Sequence, residues 1–408
     1  MKKKLAIISS YNELCGNATY SKVLTEEFEK YYDVTILPLN VRLLNNNNRY
    51  MKRVANKHIM DISSRLKEFD YVNIQFEAGL FGVYPKDIIK RMKILMNASN
   101  NLIITLHRLD IKKSIFDKEF IKDIFMNFGF KRSLRQIKQN SFARIYKEII
   151  NFCKKYRKGQ TSFMVHTKRE KELMNLVYSI QNVYDHPITF LNRNIRAVYS
   201  QANTRKDIEG KFGFNKNDLL IGIFGFISSY KGYNTIINAL NYLPKNYKLI
   251  IFGSQHPHSV QVFNEISKDI DDIIQIIGDN NLKDRIVFAG TLKDDDFIKA
   301  LYACDFTVLP YIETNQSASG IAALTLETKV KVLFSNNYTF RELARYYPGA
   351  FETFDIGNYL ELADKILNYK YDFSGKLEMF YEKYNLETNI ELYKSIFEKN
   401  EQGVEIES

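Results

Sequence analysis

The apolar positions of the chain fall into two alternating patterns. Short apolar runs, such as Leu219–Phe226, suit strands that are buried on both faces of a parallel sheet. Between these runs, apolar residues recur at helical spacing. The predicted strands are Lys4–Ser9, Val34–Leu37, Tyr71–Gln75, Leu102–Leu106, Leu219–Phe224, Tyr247–Phe252, Ile286–Phe288, Phe306–Leu309 and Val330–Phe334. The alternation predicts an α/β protein with parallel sheets flanked by helices.

The alternation of strand and helix patterns is interrupted between Tyr184 and Phe214 and resumes after Phe214, which indicates two domains. A chain of 408 residues is long enough for two or more cores. Two α/β units of similar size imply a cleft between them. We predict a first domain over 1–195, a second over 196–380, a terminal helix over 381–400 that packs back towards the first domain, and a flexible tail over 401–408.

The most informative stretch is Leu219–Leu240, which reads LLIGIFGFISSYKGYNTIINAL. The apolar run Leu219–Phe226 contains Gly225. It is followed by a polar turn with Lys231 and Gly232, and then by apolar residues at helical spacing. Free backbone N–H groups and the positive end of a helix favour an anion at such a turn, and a lysine adds a full charge. An ordinary βα turn with a solvated lysine fits the same spacing equally well.

The composition is that of a globular protein, at 45% hydrophobic and 26% charged residues. No apolar run reaches the length of a membrane span, and the start, MKKKLAIISSYNE, does not resemble a signal peptide. The three cysteines, Cys15, Cys153 and Cys304, are far apart, so neither a disulfide framework nor a zinc site is indicated. We therefore expect a cytoplasmic protein.

Nearly all of the excess positive charge lies in one insertion. Residues 111–160 contain fourteen Lys or Arg against four Asp or Glu, a net +10 out of +11 for the chain. Two amphipathic patterns occur there, one over 116–128 and one over 142–156. Basic amphipathic helices with aromatic residues can lie on an anionic membrane surface, although such a stripe also packs on its own domain. A nucleic-acid partner is disfavoured, because no helix-turn-helix or aromatic single-strand platform accompanies the charges.

Polar residues at the carboxyl ends of the predicted strands are candidates for a site in the first domain. Glu77 follows the strand Tyr71–Gln75, and His107 follows Leu102–Leu106. Open α/β sheets bind ligands at this edge, where the small-residue turn Gly16-Asn17 also follows the first strand. The alternatives are that Glu77 caps a turn and that His107 is a hydrogen-bonded core histidine.

Several of these stretches together resemble the retaining glycosyltransferases of family 4, which have the GT-B fold of two Rossmann-like domains facing across a cleft. The turn 225–232, GFISSYKG, is similar to the family's diphosphate-binding turn. Residues 305–310, DFTVLP, followed by 319–324, SGIAAL, resemble its strand and nucleotide-binding helix start. Residues 73–82 and 105–107 resemble a bacterial branch of the family. The resemblance covers about Lys4 to Tyr393.

The resemblance implies a sugar transfer from a nucleoside-diphosphate sugar to a glycan or lipid-linked acceptor, in bacterial surface polysaccharide or glycoconjugate synthesis. Catalytic roles fall to His107, Lys231 and Glu77. No metal or other cofactor is expected, and the protein would be peripheral on the inner face of the plasma membrane through 111–160. The residues implied in binding the donor nucleotide and phosphates are Gly16, Asn17, Gly225, Lys231, Gly232, Ser319, Gly320, Ile321 and Glu327.

The chain departs from the family pattern at two places. Phe226 occupies the usual arginine position, which leaves Lys231 as the single cation of the turn. The family's glutamate pair is incomplete: Glu327 stands for the second in one alignment, whereas Gln316 and Leu324 take both places in an ungapped one. These departures keep three alternatives open: a related phosphorylase or synthase, a transferase that has lost activity, and a membrane-binding module.

Overall fold

In the computed structural model, the structure describes residues 2–11, 13, 16–111, 130–157, 160–198, 201–255, 268–312 and 317–407. They form two compact units. The first comprises Met1–His186 and Leu386–Ser408, and the second comprises Pro187–Asn385. The second unit thus begins before the predicted start at 196, because the amides of Phe190 and Leu191 bind Glu327 within it.

The first unit is built on a sheet of six parallel strands in the order β2-β1-β3-β4-β5-β6. The central strand β1 places Ile7 opposite Ile36 on one side and Asn73 on the other. The strands are β1 (Lys4–Ser9), β2 (Asp33–Pro38), β3 (Tyr71–Phe76), β4 (Asn101–Leu106), β5 (Thr161–Val165) and β6 (Val183–Asp185).

Helices surround this sheet and close its core. They are α1 (Gly16–Phe28), α2 (Val41–Leu44), α3 (Arg49–Arg65), α4 (Ala78–Phe81), α5 (Pro85–Ala98), α6 (Phe130–Tyr156), α7 (Lys168–Tyr178) and, from the end of the chain, Leu386–Glu407. Thr167 caps α7 by accepting a hydrogen bond from the Glu170 N–H.

The second unit repeats the plan with six parallel strands in the order β12-β11-β10-β7-β8-β9. The strands are β7 (Leu219–Phe224), β8 (Tyr247–Phe252), β9 (Ile286–Phe288), β10 (Phe306–Leu309), β11 (Val332–Ser335) and β12 (Glu352–Phe354). The strand order reverses between β7 and β10, and between β1 and β3 in the first unit. Ligands of open α/β sheets bind at such switch points.

The helices of the second unit continue the numbering. They are α8 (Arg193–Val198), α9 (Gln201–Phe212), α10 (Tyr233–Ala239), α11 (Lys268–Asp279), α12 (Asp294–Ala303), α13 (Gly320–Glu327), α14 (Tyr338–Ala344), α15 (Tyr359–Leu367) and α16 (Ser374–Lys383), so that Leu386–Glu407 is α17. Every predicted strand is confirmed. β5, β6 and β12 were not predicted. β6 and β12 have three residues each and lie at sheet edges, so they are too short to show a period.

Helix α17 runs to Glu407, beyond the predicted end at 400 and through the segment expected to be a flexible tail. Contacts of Glu401 with the first unit help to keep this last part of the chain helical. The Glu401 carboxylate pairs with the Lys3 ammonium and accepts a hydrogen bond from the Tyr71 hydroxyl at 3.0 Å. These contacts hold the last turns of the helix on the first unit.

The basic insertion packs on its own domain over the part that the structure describes. The apolar stripe of α6 lies in the first core, with Ile145, Tyr146, Ile149, Ile150 and Cys153 all buried. The stripe is therefore not available to a membrane. The other amphipathic pattern, over 116–128, lies outside the described residues.

Arg157 is also part of this core rather than of a solvated basic surface. Its guanidinium donates to the Met96 carbonyl at 2.6 Å and to the Thr161 hydroxyl at 2.9 Å, and burial lowers its pKa. It belongs to the fourteen cations counted in the insertion, but it cannot meet an anionic surface. Exposed cations of the same segment include Arg144, Lys147, Lys154 and Lys155.

Candidate functional site

The turn after β7 is shaped by two glycines with positive φ, Gly225 at 103° and Gly232 at 69°. A Cβ on Gly232 would lie 1.9 Å from the Pro310 carbonyl oxygen, so no other residue fits without moving the backbone. A Cβ on Gly225 would lie 3.2 Å from Lys231 Nζ. The glycines therefore let the turn close against the end of β10 and let the lysine pass over the backbone.

Lys231 is enclosed, with only 5% of its surface exposed. Its ammonium donates a hydrogen bond to the Tyr311 hydroxyl, lies 4.0 Å from the Tyr311 ring centroid and 5.2 Å from that of Tyr230. No described carboxylate comes within 4.0 Å of it. Burial lowers the pKa of Lys231 to about 7. A buried cation without a counterion favours an anionic ligand.

The start of α13 meets this turn. Ser319 is the N-cap residue, and its hydroxyl accepts a hydrogen bond from the Ala322 N–H at 3.3 Å. The Ile321 side chain reaches the turn, since its Cδ1 would lie 2.7 Å from a Cβ on Gly225. The structure thus brings together Gly225, Lys231, Gly232, Ser319, Gly320 and Ile321, as the sequence predicted, at the switch point between β7 and β10.

Glu327 is the exception among the predicted donor-binding residues. It ends α13 with 2% exposure, and its two carboxylate oxygens accept from the Phe190 N–H at 3.0 and 3.1 Å. The Leu191 N–H adds a third bond at 3.4 Å. The carboxylate therefore holds the first segment of the second unit. The role of ribose ligand, which the family resemblance implies for this glutamate, stays a prediction.

In the first unit, the structure joins three predicted residues at the surface. Asn17 and Gly16 open α1, and the Asn17 amide donates to the Glu77 carboxylate at 2.5 Å. Glu77 is exposed at the end of β3 and makes no side-chain cap to α4, so it is not the turn cap that the alternative interpretation required. This amide–carboxylate pair lies at the switch point between β1 and β3.

His107 follows β4 and is partly buried. Its Nε2 lies 2.7 Å from Gln75 Oε1, while the Gln75 amide nitrogen donates to Asn73 at 2.5 Å. The bonds therefore assign the proton to Nε2, and Nδ1 keeps a lone pair without a partner among the described residues. Desolvation and the neighbouring His166 lower the pKa of His107 well below its ordinary value, so the ring is neutral.

Sequence analysis missed the residues that surround His107. The ring centroid of Tyr20 lies 5.6 Å away and that of His166 lies 5.0 Å away. His166 follows β5, and burial lowers its pKa to about 4. Its position directly after a parallel strand is the same as that of His107 after β4.

A polar chain continues from this cluster into the C-terminal helix. Asn389 donates to the Tyr20 hydroxyl at 2.9 Å, and the hydroxyls of Tyr393 and Thr105 are 2.7 Å apart. Both Asn389 and Tyr393 belong to α17. No sequence pattern pointed to them, because their partners lie hundreds of positions earlier in the chain.

The described ranges contain neither a metal-binding group of side chains nor a helix that could span a membrane. No group of three or more His, Cys, Asp or Glu side chains there is placed to hold a metal ion. In the same part of the chain, no helix combines the length and apolarity that crossing a bilayer requires.

Comparison with known proteins agrees with the geometry of the second unit. Residues 204–372 match the family described as glycosyl transferases group 1. This range contains the turn after β7, the lysine and the start of α13. A comparison with curated protein sequences finds no match.

The whole chain matches solved structures at low identity. A crystal structure of Anabaena Alr3699/HepE in complex with UDP has a TM-score of 0.66 at 12% identity and covers 97% of this chain and 99% of that chain. Sucrose-phosphate synthase from Thermosynechococcus elongatus has a TM-score of 0.67 at 13% identity, with coverage of 97% and 99%. The trehalose 6-phosphate synthase from Burkholderia multivorans has a TM-score of 0.68 at 9% identity, and the match covers 100% of this chain and 98% of that chain. The fold is therefore GT-B, with two Rossmann-like domains, as predicted.

Proposed function

We propose that the protein is a retaining glycosyltransferase of family 4. It would move a hexose from a nucleoside-diphosphate sugar to a glycan or lipid-linked acceptor, in bacterial surface polysaccharide or glycoconjugate synthesis. The match of residues 204–372 to a glycosyltransferase family supports the reaction class. The neighbour bound to UDP supports a uridine nucleotide as the first donor to test.

The single observation that carries the proposal is the environment of Lys231. A lysine that is 5% exposed, with aromatic rings on two sides and no described carboxylate within 4.0 Å, loses hydration without gaining a counterion. A diphosphate would supply that counterion. The adjacent helix start at Ser319–Ile321 offers backbone N–H groups to the same anion.

The mechanism follows from the charges that develop during transfer. Breaking the bond between the anomeric carbon and the phosphate oxygen builds negative charge on the diphosphate and positive charge on the sugar ring. Lys231 and the start of α13 would stabilise the leaving diphosphate. The acceptor oxygen would attack on the same face and pass its proton to the departing phosphate, so no separate base and no metal are required.

His107 would contact the donor sugar. Its neutral ring donates through Nε2 to Gln75 and leaves the Nδ1 lone pair for a sugar hydroxyl. Glu77 would act at the same strand edge, where the Asn17 amide fixes one of its oxygens and the other stays available. Neither residue is proposed as a nucleophile.

A lipid-linked acceptor would explain the basic insertion. The exposed cations of α6, among them Arg144, Lys147 and Lys155, can attract anionic headgroups, although the apolar stripe of that helix is committed to the core. Peripheral attachment to the cytoplasmic face of the plasma membrane would then be electrostatic and reversible.

The test is a panel of nucleoside diphosphates and nucleotide sugars. Thermal shift identifies the nucleotide, because a ligand that binds only the folded state stabilises it by mass action. Mass spectrometry then looks for a glycosylated product with glycan, lipid-linked and sugar-phosphate acceptors. Transfer to a glycan or lipid acceptor supports the proposal. Transfer to a sugar phosphate alone indicates a synthase, and nucleotide binding without any product indicates lost activity. Both results contradict it.

A further inference from the structure

Tyr311 connects the two parts of the candidate phosphate site. It follows β10 and Pro310, is 1% exposed, and its ring packs at 5.2 Å from that of Phe340. Its hydroxyl accepts a hydrogen bond from Lys231, and the Ser319 side chain also hydrogen-bonds to it. One phenol therefore contacts both the lysine of the turn and the N-cap residue of the helix.

A lone lysine needs such an anchor more than an arginine does. The ammonium is a point charge on a flexible four-carbon stem, whereas a guanidinium presents a rigid fork of donors. Phe226 occupies the place where related turns carry an arginine, so the lysine acts without that second cation. Groups that stabilise developing charge are effective when they are held in place beforehand.

The chemistry of the anchor matters as well. A carboxylate beside Lys231 would fix it equally well, but it would neutralise the ammonium and repel the phosphates. A phenol is neutral over the physiological range, and burial together with the nearby Tyr230 raises the pKa of Tyr311 further. The hydroxyl can thus hold the lysine without competing for its charge.

We propose that Tyr311 is a positioning residue for the donor diphosphate: its hydroxyl fixes the Lys231 ammonium beside the start of α13, so that both meet the same phosphate group. The inference rests on the proposed function and adds a positioning residue to the same phosphate site. Tyr311 acts through Lys231, so its contribution to nucleotide affinity depends on the lysine.

A double-mutant cycle on the full chain tests this dependence. Isothermal titration measures the affinity for UDP and GDP of wild type, Tyr311→Phe, Lys231→Met and the double variant. Tyr311→Phe keeps the ring and removes only the hydroxyl, and we expect a loss of about tenfold in affinity. In the Lys231→Met background, the same change should alter the affinity by less than about twofold.

Tyr347→Phe is the matched control, since Tyr347 is 4% exposed in the same core cluster as Tyr311. It should bind nucleotide as the wild type does. Thermal melts accompany every variant. If Tyr311→Phe does not fold, Tyr311→His replaces it in the double-mutant cycle, because the shorter imidazole does not reach the position of the phenol oxygen.

The outcomes separate the two claims. Equal effects of Tyr311→Phe in both backgrounds would overturn the positioning role and leave Tyr311 as a packing residue, with the proposed function intact. A wild type that binds no nucleoside diphosphate of the panel would overturn the proposed function and the inference together. A loss confined to the background that contains Lys231 supports both.

Discussion

Glu327 holds Phe190 through both oxygens of its carboxylate, at 3.0 and 3.1 Å from the same backbone nitrogen. Phe190 in turn packs against the other end of α13, because its Cζ would lie 3.1 Å from a Cβ on Gly320. The segment that begins the second unit is thus fixed along the helix that is proposed to receive the donor phosphate. The relation makes Glu327 a structural residue.

Glu327→Gln should therefore lower stability and leave nucleotide affinity nearly unchanged. The amide keeps one acceptor but turns an NH₂ group towards a buried backbone N–H, at a cost of about 1–3 kcal/mol. Thermal and denaturant midpoints measure the loss. Glu382→Gln, which removes an exposed partner of Arg193 in the same unit, is the control with little effect. Weakened nucleotide binding at unchanged stability would restore Glu327 as a ribose ligand.

Gly232→Ala should disrupt the turn. The added Cβ would lie 1.9 Å from the Pro310 oxygen at a residue with φ of 69°, so we expect a stability loss of at least about 1–3 kcal/mol and weaker nucleotide binding. Gly278→Ala is the matched control in α11, since nothing lies within 4 Å of its Cβ position. Alanine there should stabilise slightly. A Gly232→Ala protein with normal melting and binding would contradict the geometry of the turn.

His107→Ala should lower kcat far more than donor affinity, as expected of a contact that strengthens in the transition state. Steady-state kinetics with the identified donor measure both. His58→Ala is the control, because His58 lies in α3 and accepts from the Asn40 N–H at 3.2 Å, outside the cluster of rings around His107. If kcat and donor affinity both change by less than about twofold, equivalent to about 0.4 kcal/mol, His107 is a core residue and not a site residue.

Binding to anionic liposomes should depend on the exposed cations of α6. Neutralising three of them should weaken co-sedimentation about a hundredfold, at about 1 kcal/mol per residue, and high salt should do the same. The first variant carries Gln at Arg144, Lys147 and Lys155, and the matched control carries Gln at the exposed Lys206, Lys211 and Lys216 of the second unit. Equal binding to neutral liposomes, or none to anionic ones, would leave this surface simply solvated and favour a soluble acceptor.

The local pattern of apolar and polar residues was sufficient to predict the longer strands of both sheets and the turn after β7. Glycine spacing and a lysine before the helix predicted Gly225, Lys231 and Gly232, because a βα turn is made from consecutive residues. The start of α13 came instead from the family resemblance of residues 319–324, SGIAAL.

The errors and omissions share one physical cause. Whether a charged residue is free or engaged depends on chain segments far from it in sequence. Glu327 bonds residues 190 and 191, Arg157 bonds the Met96 carbonyl, and Tyr311 meets a lysine eighty positions earlier. Composition identified these groups as polar or aromatic but could not identify their partners.

The charge state of Lys231 makes the central claim dependent on pH. Burial holds its pKa at about 7 in the free protein, and a bound diphosphate would raise it. Binding then takes up a proton between the two pKa values. Affinity is therefore full below about pH 7 and falls by up to about tenfold per unit as the pH rises above it. The terminal phosphate titrates near pH 6, so measurements begin at pH 7.

The most direct test measures the affinity of wild type, Lys231→Arg and Lys231→Ala for the identified nucleoside diphosphate between pH 7 and pH 9. We predict that wild-type affinity falls across this range, that Lys231→Arg shows no such fall because arginine stays charged, and that Lys231→Ala binds at least about tenfold more weakly at pH 7. A Lys231→Ala protein with wild-type affinity, or a wild type whose affinity does not change with pH, would contradict the assignment of this lysine to the donor diphosphate.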